Sequence, residues 1–281
     1  MPHAYPRVKK MASNSRRSSG AGSSRRSTNG MRERASIQYR DGEMTNAHRH
    51  FLQSLMSKRI MTKREAKKTA SDSHRLYNEE SSGEGPLFTE FVQTINAKLE
   101  SLGFKIGMSK VEHDGSEWVG FANTSSTGGG DVIQKASGLG LAELEFFRTC
   151  LQQMVTEENN GVASSSALLA KLNTLQRKMT GKAAQDLLVS LTKDHWFFEI
   201  SRGHYCMGPR CFIELLPFLP EIVGESIEEC RLCSNRVVMG DRCLGCDTKL
   251  HTYCIVQLSR RGQVKCPQCH EEWEGEIPTL E

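Results

Sequence analysis

Apolar positions through the first two-thirds of the chain fall into two successions of the same kind, each a set of helical stripes followed by alternating runs about a Gly-containing turn. From Thr45, a residue type that caps helices, Leu52, Leu55 and Met56 recur at helical spacing and form the expected inner stripe. Thr62 and Glu65 stand as T-x-x-E, a capping box, which predicts a second, short helix. Beyond ESSGEGP (80–86), Phe88, Phe91, Val92, Ile95, Leu99 and Leu102 share one face of a third helix that Gly103 is suited to end. FKIGMSKVEHDGSEWVGFAN (104–123) then reads as two strands about Asp114-Gly115, a pair that suits a tight hairpin turn.

The order repeats past TSSTGGGD (124–131). Leu141, Leu144, Phe147, Leu151 and Met154 or Val155 make one apolar face, and a Ser-rich start at 164–166 leads into Ala167, Leu168, Leu169 and Leu172. Thr180 is the expected cap of a helix that buries Leu187, Leu188 and Leu191, and HWFFEISRGHYCM (195–207) supplies a second hairpin about Arg202-Gly203. Helices followed by a hairpin, twice over, predict an α+β protein with tandem winged-helix domains at 44–125 and 138–222. No apolar run approaches the roughly 20 residues a membrane-crossing helix needs, and the first residues are basic and polar. A soluble, intracellular protein with no membrane partner is expected.

Charge sharpens the division. Residues 1–43 hold ten Lys/Arg against three Asp/Glu, so an arm of +7 sits on a chain whose formal net charge is only +4. This arm contains RRSSGAGSSRRSTNG (16–30), lacks apolar periodicity, and is expected to be disordered. Its composition resembles that of a transit peptide, but it lacks an amphipathic helical stretch. The basic pI therefore belongs to the arm and does not by itself make the folded body a nucleic-acid binder. Lys58, Arg59, Lys63, Arg64, Lys67 and Lys68 form a local basic cluster, read as candidate DNA-phosphate contacts against the alternative of a solvated helix face. Winged helices dock on DNA in some proteins and on other proteins in many more, so the fold does not decide between them.

The chemistry is concentrated near the C-terminus, where seven of ten cysteines and His251 occupy 230–269. The string is C-x2-C-x9-C-x2-C-x4-H-x2-C-x11-C-x2-C, with Cys230, Cys233, Cys243, Cys246, His251, Cys254, Cys266 and Cys269 as metal ligands. Eight thiolate and imidazole donors divide into two tetrahedral Zn2+ sites, each without an open position, so the metals are structural and do not activate water. Spacing leaves the pairing open: sequential sites use 230/233/243/246 and 251/254/266/269, interleaved sites 230/233/251/254 and 243/246/266/269. A segment of this size offers few core candidates, namely Val237, Val238, Leu244, Leu250, Ile255, Val256, Leu258 and Trp273. Metal must supply much of its folding free energy. With two Zn2+ and seven thiolates, residues 230–270 carry about +2 net. Cys150, Cys206 and Cys211 read as small core side chains. CPQCH (266–270) matches a haem-attachment pattern, but its cysteines already belong to the zinc string, and no βαβ context supports a thioredoxin-like site.

The ligand string followed by HEEWEGEIP (270–278), together with MTNAHRHFLQSLMSKRI (44–60), resembles the non-SMC element one family, the variant-RING subunit of the SMC five-six complex. The likeness spans about 44–278 and leaves the arm outside it. It implies two winged helices, a tight subcomplex with a MAGE-type subunit and a kleisin subunit, and a C-terminal RING-like two-zinc module at 226–278. That module takes its ligands as four cysteines, one histidine and three cysteines, in interleaved sites. A nuclear, chromosome-associated role in DNA repair by homologous recombination also follows from the resemblance. So does RING-type ubiquitin ligase activity, weak alone and stimulated by the MAGE-type partner, in which a ubiquitin-conjugating enzyme is held for transfer by positioning. In the RING family the enzyme contacts are an apolar residue between the first two ligands and a proline after the seventh, which here are Leu232 and Pro267. The position after the last ligand, arginine in strongly activating RINGs, is His270. The competing reading is a non-enzymatic assembly subunit whose zinc module buttresses the winged helices. A histone-reading PHD finger shares the ligand order but has an aromatic residue where Val264 stands.

Overall fold

The computed structural model describes residues 43–77, 87–124, 133–134, 137–156, 158–224, 227–262 and 265–274. The arm before 43, the loops ESSGEGP and 125–131, Val264 and the end of HEEWEGEIP lie outside the described residues.

Helix α1 (Asn46–Lys58) begins at Thr45, whose backbone N–H donates to His48 Nδ1 at 3.2 Å, with Oγ1 2.8 Å from the same nitrogen. Its inner line is Ala47, His48, Phe51 and Leu55, and the expected stripe member Met56 is 52% exposed. Ala47, Phe51 and Leu55 are spaced by four, so Met56 is turned about 100° from Leu55 and further still from the other two. His48 takes an apolar place by stacking on Phe91 at 4.1 Å. After β1 (Ile60–Thr62), the expected capping box is formed: Thr62 N–H donates to Glu65 Oε2 at 3.0 Å and Glu65 N–H to Thr62 Oγ1 at 3.2 Å. The helix it starts, α2 (Lys63–Tyr77), is 15 residues long instead of short. Its buried face is Ala66, Ala70 and Ser73, small side chains that leave no hydrophobic stripe, while its Lys, Arg, Glu and Ala residues favour helix by propensity.

Helix α3 (Phe88–Leu99) buries Phe91, Val92, Ile95 and Leu99 and tightens into a 3-10 turn over Glu100–Leu102, which rotates Leu102 into solvent. Gly103 ends it at φ 71°. Strands β2 (Phe104–Lys110) and β3 (Glu117–Asn123) pair antiparallel, and β1 adds to β3, giving the order β1-β3-β2 of a winged helix. The connection is wider than the expected tight turn on Asp114-Gly115: Val111 N–H bonds Ser116 O at 2.9 Å and Gly115 N–H bonds Val111 O at 2.9 Å. It is widened because Val111 and Glu112 are buried among residues outside the hairpin.

The second unit repeats the plan with α4 (Leu141–Val155), β4 (Val162–Ser164), α5 (Ser165–Ala170), α6 (Gly181–Lys193), β5 (Phe197–Ser201) and β6 (His204–Met207), in sheet order β4-β6-β5. Ser164 and Thr180 cap their helices by accepting from Ala167 N–H and Ala183 N–H, each at 3.2 Å. Leu144, Phe147, Leu151 and Met154 are buried as expected and Phe146 and Cys150 join them, whereas Leu141 is exposed. Leu187, Leu188 and Leu191 close the same core with Trp196 and Phe197. Cys206 and Cys211 are buried too, and burial drives all three of these thiols, Cys150 included, well above the ordinary thiol range.

A π-helical turn (Cys211–Leu215), a 3-10 turn (Leu216–Phe218) and α7 (Leu219–Val223) follow. The π turn lies on the sheet of the first unit, where Gly107 and Gly120 are register partners. A Cβ on Gly107 would stand 2.9 Å from Ile213 Cγ2, and one on Gly120 would stand 3.2 Å from Ile213 Cδ1. Two missing side chains thus form the seat that receives Ile213. Beside Ile213, Glu214 of the same turn and Arg210, which precedes the turn, make a buried ion pair at 2.6 Å, with the Arg210 guanidinium 3.9 Å over the Trp196 ring. No helix of the described residues is long and apolar enough to cross a membrane.

Candidate metal centre

The ligands are presented by one local motif used three times. At Cys230, Cys243 and Cys266 the backbone N–H bonds the carbonyl five residues on (Asn235, Thr248 and Glu271, at 2.8, 3.0 and 2.8 Å), and the N–H four residues on returns to the cysteine carbonyl. The flanking residues pair in each case, as Glu229 with Arg236, Arg242 with Lys249 and Lys265 with Glu272. Closing so tight a loop requires positive φ after the second cysteine, and Ser234, Asp247 and His270 adopt 58°, 59° and 64°. The middle loop connects β7 (Asp241–Arg242) to β8 (Lys249–Leu250). His251 then precedes α8 (Thr252–Arg260), whose first turn brings Cys254 to the same side, with Cys254 N–H bonding His251 O at 2.9 Å.

The donors gather as Cys230, Cys233, His251 and Cys254 in one cluster and Cys243, Cys246, Cys266 and Cys269 in the other, with the ligand atoms of each within 4.8 Å of one another. The interleaved pairing is therefore the one adopted, and the sequential one is excluded. Cys243 Sγ lies 3.6 Å from Cys269 Sγ and Cys246 Sγ 3.7 Å from Cys266 Sγ. Tetrahedral zinc with Zn–S near 2.3 Å sets sulfurs about 3.8 Å apart, so both clusters fit a zinc ion. In the first, His251 Nδ1 faces Cys233 Sγ at 3.4 Å and Cys254 Sγ at 3.9 Å. Nε2 points away, 3.1 Å from Arg236 O and 3.2 Å from Glu112 Oε1. Bound zinc supplies the cross-links that hold so small a module folded.

Without metal, the clusters hold protons. Hydrogen bonding from Cys254 holds Cys230 far below the thiol range and leaves Cys254 far above it. Burial opposes charge on His251, but Cys230 and Glu112 outweigh it and raise its pKa to about 10. Thr248 brings Cys246 down to about 6. Zinc entry has to release the remaining protons, so loading strengthens as pH rises.

The module's own core is Val237, Leu250, Tyr253, Ile255 and Trp273 around the cysteines. Four expected members lie outside it: Leu244 is 79% exposed on the tip of its loop, Val238 inserts into the core of the second winged helix, Val256 is buried outside this cluster, and Leu258 is half-buried. Docking to the body is polar as well. Glu112 accepts from Val238 N–H at 2.9 Å and Met239 N–H at 2.8 Å; Asn160 brackets Gly240 through both its amide atoms; Arg236 Nη1 donates to Leu216 O at 2.7 Å. Glu112 escapes a reading of the sequence because it sits more than a hundred residues from its partners, its only signal an apolar residue, Val111, inside a supposed solvent turn.

Leu232 is half-buried against the module core, Pro267 is half-buried, and His270 is exposed. Lys58, Arg59, Arg64, Lys67 and Lys68 are exposed, with Arg59, at φ 67°, also lining a cavity with Phe104, Phe121, Arg210 and Glu214, while Lys63 is half-buried and pairs with Glu117 at 2.9 Å. None of the six is on α3, the helix that enters the groove in DNA-reading winged helices, which carries Glu90 and Lys98.

Residues 48–215 match the family described as Nse1 non-SMC component of SMC5-6 complex, and 230–269 match the RING-like domain. The chain is 27% identical over 243 residues to the non-structural maintenance of chromosomes element 1 homolog of Bos taurus, covering 86% of this chain and 89% of that one. Identity to the Homo sapiens homolog is 26% over the same span. Among solved structures, a chain of an Nse1-Nse3-Nse4 complex superposes with a TM-score of 0.72 at 26% identity, covering 84% of this chain and 99% of that one. Its match to that family runs from α1 through the π turn that joins the two winged helices, so this chain is a member of the Nse1 family.

Proposed function

We propose that this chain is a RING-type ubiquitin ligase subunit of the SMC5-6 complex, assembled with a MAGE-type Nse3 and a kleisin Nse4, and acting in the nucleus on chromosomes in DNA repair by homologous recombination. Its working parts are the winged helices at 44–125 and 138–222 and the zinc module at 226–278. The observation that carries the reading is the interleaved two-site module, which fixes Leu232 between the first ligand pair and Pro267 inside the last. A RING supplies no nucleophile; it holds the conjugating enzyme's ubiquitin thioester in a reactive pose, and rigidity of the contact residues is its contribution.

The test is ubiquitin discharge from a conjugating enzyme by the purified subcomplex with its MAGE-type partner. Leu232→Ala and Pro267→Ala are expected to lower the rate about tenfold or more with zinc content unchanged, since a single packed interface anchor is worth roughly 1–3 kcal/mol. His270→Arg is expected to raise it. Rates equal to wild type in all three variants would favour the second reading, an assembly subunit without transfer activity. That reading is supported by the polar docking of the module onto both winged helices through Glu112, Asn160 and Arg236.

DNA contact is proposed for four of the five exposed members of the basic cluster, Arg59 being set beside Glu214 in the cavity they both line. Neutralising Lys58, Arg64, Lys67 and Lys68 together is expected to flatten the dependence of log affinity on log salt by up to about 0.9 for each phosphate no longer neutralised. An unchanged slope would remove DNA from the proposal.

A further inference from the structure

We propose that Glu112, on the wing of the first winged helix, is a positioning residue of the first metal cluster: it fixes the His251 ring so that Nδ1 is the ligand atom, and thereby makes zinc retention there depend on the wing. The inference rests on the clusters holding zinc and not on ubiquitin transfer, so either can fail alone.

Glu112 is 4% exposed, although its hairpin turn would ordinarily face solvent. Its two oxygens are held by consecutive backbone N–H groups, Oε1 by Val238 and Oε2 by Met239, which fixes the carboxylate plane. Oε1 then lies 3.2 Å from His251 Nε2, and Arg236 O lies 3.1 Å from the same nitrogen. Both neighbours are acceptors, so Nε2 keeps its hydrogen, and Nδ1, on the side of the cysteine sulfurs, is the nitrogen left to ligate a metal ion. A carboxylate on the far nitrogen also makes the ring a stronger donor to metal. The wing grips the ring from a second direction: Tyr253 stacks on His251 at 4.6 Å, and Lys110, the last residue of β2, lies over Tyr253 with Nζ 5.3 Å from the ring centre. The second cluster consists of four cysteines and makes no such contact with the wing among the described residues.

Two effects of Glu112 can be separated. It positions His251, and it also docks the 236–240 loop, a task shared with Asn160, which brackets Gly240 without touching His251. The experiment is zinc release from the full chain to a chromogenic chelator, comparing wild type with Glu112→Gln, Glu112→Asp and Asn160→Ala. Glu112→Gln is expected to speed release of one of the two zinc ions about 10–100-fold and leave the other at the wild-type rate. Glu112→Asp keeps the charge but withdraws it by one methylene, and should fall between. Asn160→Ala should leave both rates unchanged. Nitrogen-15 spectra of His251 give an independent readout: a protonated Nε2 in wild type, with its resonance displaced in Glu112→Gln. Release of both ions at wild-type rates in Glu112→Gln, equal acceleration of both, or equal acceleration by Asn160→Ala would overturn the proposal, as would an Nδ1-protonated ring in the zinc-loaded chain.

Discussion

Cys230→Ser is expected to reduce bound zinc from two ions per chain to one and to unfold the C-terminal module around the first cluster. Cys230 is fully buried and belongs to both the ligand set and the module's core, so no solvent molecule can take its place without opening the structure. Structural zinc in small domains is bound with an apparent free energy of about 10–16 kcal/mol, whereas burial of Val237, Leu250, Tyr253, Ile255 and Trp273, at about 1.5–3 kcal/mol each, is offset by the conformational entropy of ordering the module, at about 1–2 kcal/mol for each residue's backbone. The helices and sheets of the two winged helices have their own cores and should persist, so far-ultraviolet circular dichroism changes little. Their stability should nevertheless fall, because Val238 leaves the core of the second unit and Glu112 loses both backbone donors. Elemental analysis, with Trp273 emission as a local probe, checks this. Retention of both zinc ions with native emission would show that the first cluster is not what holds the module.

Arg210→Ala should be the most damaging substitution outside the metal sites. The Arg210 and Glu214 side chains are 4% and 9% exposed and meet at 2.6 Å, so removal of the cation strands a carboxylate away from water. Breaking a buried pair from one side costs about 3–5 kcal/mol, and the guanidinium stacked on Trp196 disappears with it. Burial already raises the Glu214 pKa, with Arg210 working against that rise. In the variant the rise goes further, and the sign of the pH effect follows. The penalty is largest where Glu214 is ionised and shrinks as pH falls through its raised folded-state pKa, because the protonated acid needs no cation. Replacing both partners by apolar residues, Arg210→Met with Glu214→Leu, should recover most of the loss. Urea unfolding at neutral and mildly acidic pH measures all three quantities; a double variant no more stable than Arg210→Ala would disprove the account.

What can be read from the sequence follows from what each residue type reveals on its own. Large apolar residues at regular spacing, as in Phe91, Val92, Ile95 and Leu99, define a helix face without outside help. So do the caps at Thr62 and Thr180, whose hydrogen bonds are local. The length of α2 is hidden because its inner face is built of Ala66, Ala70 and Ser73, and the face of α1 is obscured because Ala47 and His48 occupy it. Leu244 and Met56 show the converse, apolar residues left outside by geometry that spacing does not encode. The eight ligands are legible from chemistry and spacing, but their division into clusters is not, since both pairings satisfy the same string. Glu112 is beyond reach for a different reason. A single acid in a turn gains meaning only when a chain segment more than a hundred residues later arrives beside it.

The seat for Ile213 has an evolutionary corollary. Because Gly107 and Gly120 receive it through absent atoms, a side chain at Gly107 would force Ile213 to shift, and one at Gly120 would press on the end of the same side chain. Such a change is best accommodated beside a smaller residue at 213, so descendants of this protein should tend to vary these three positions in concert or hold them fixed, which ties the drift of one winged helix to that of the other.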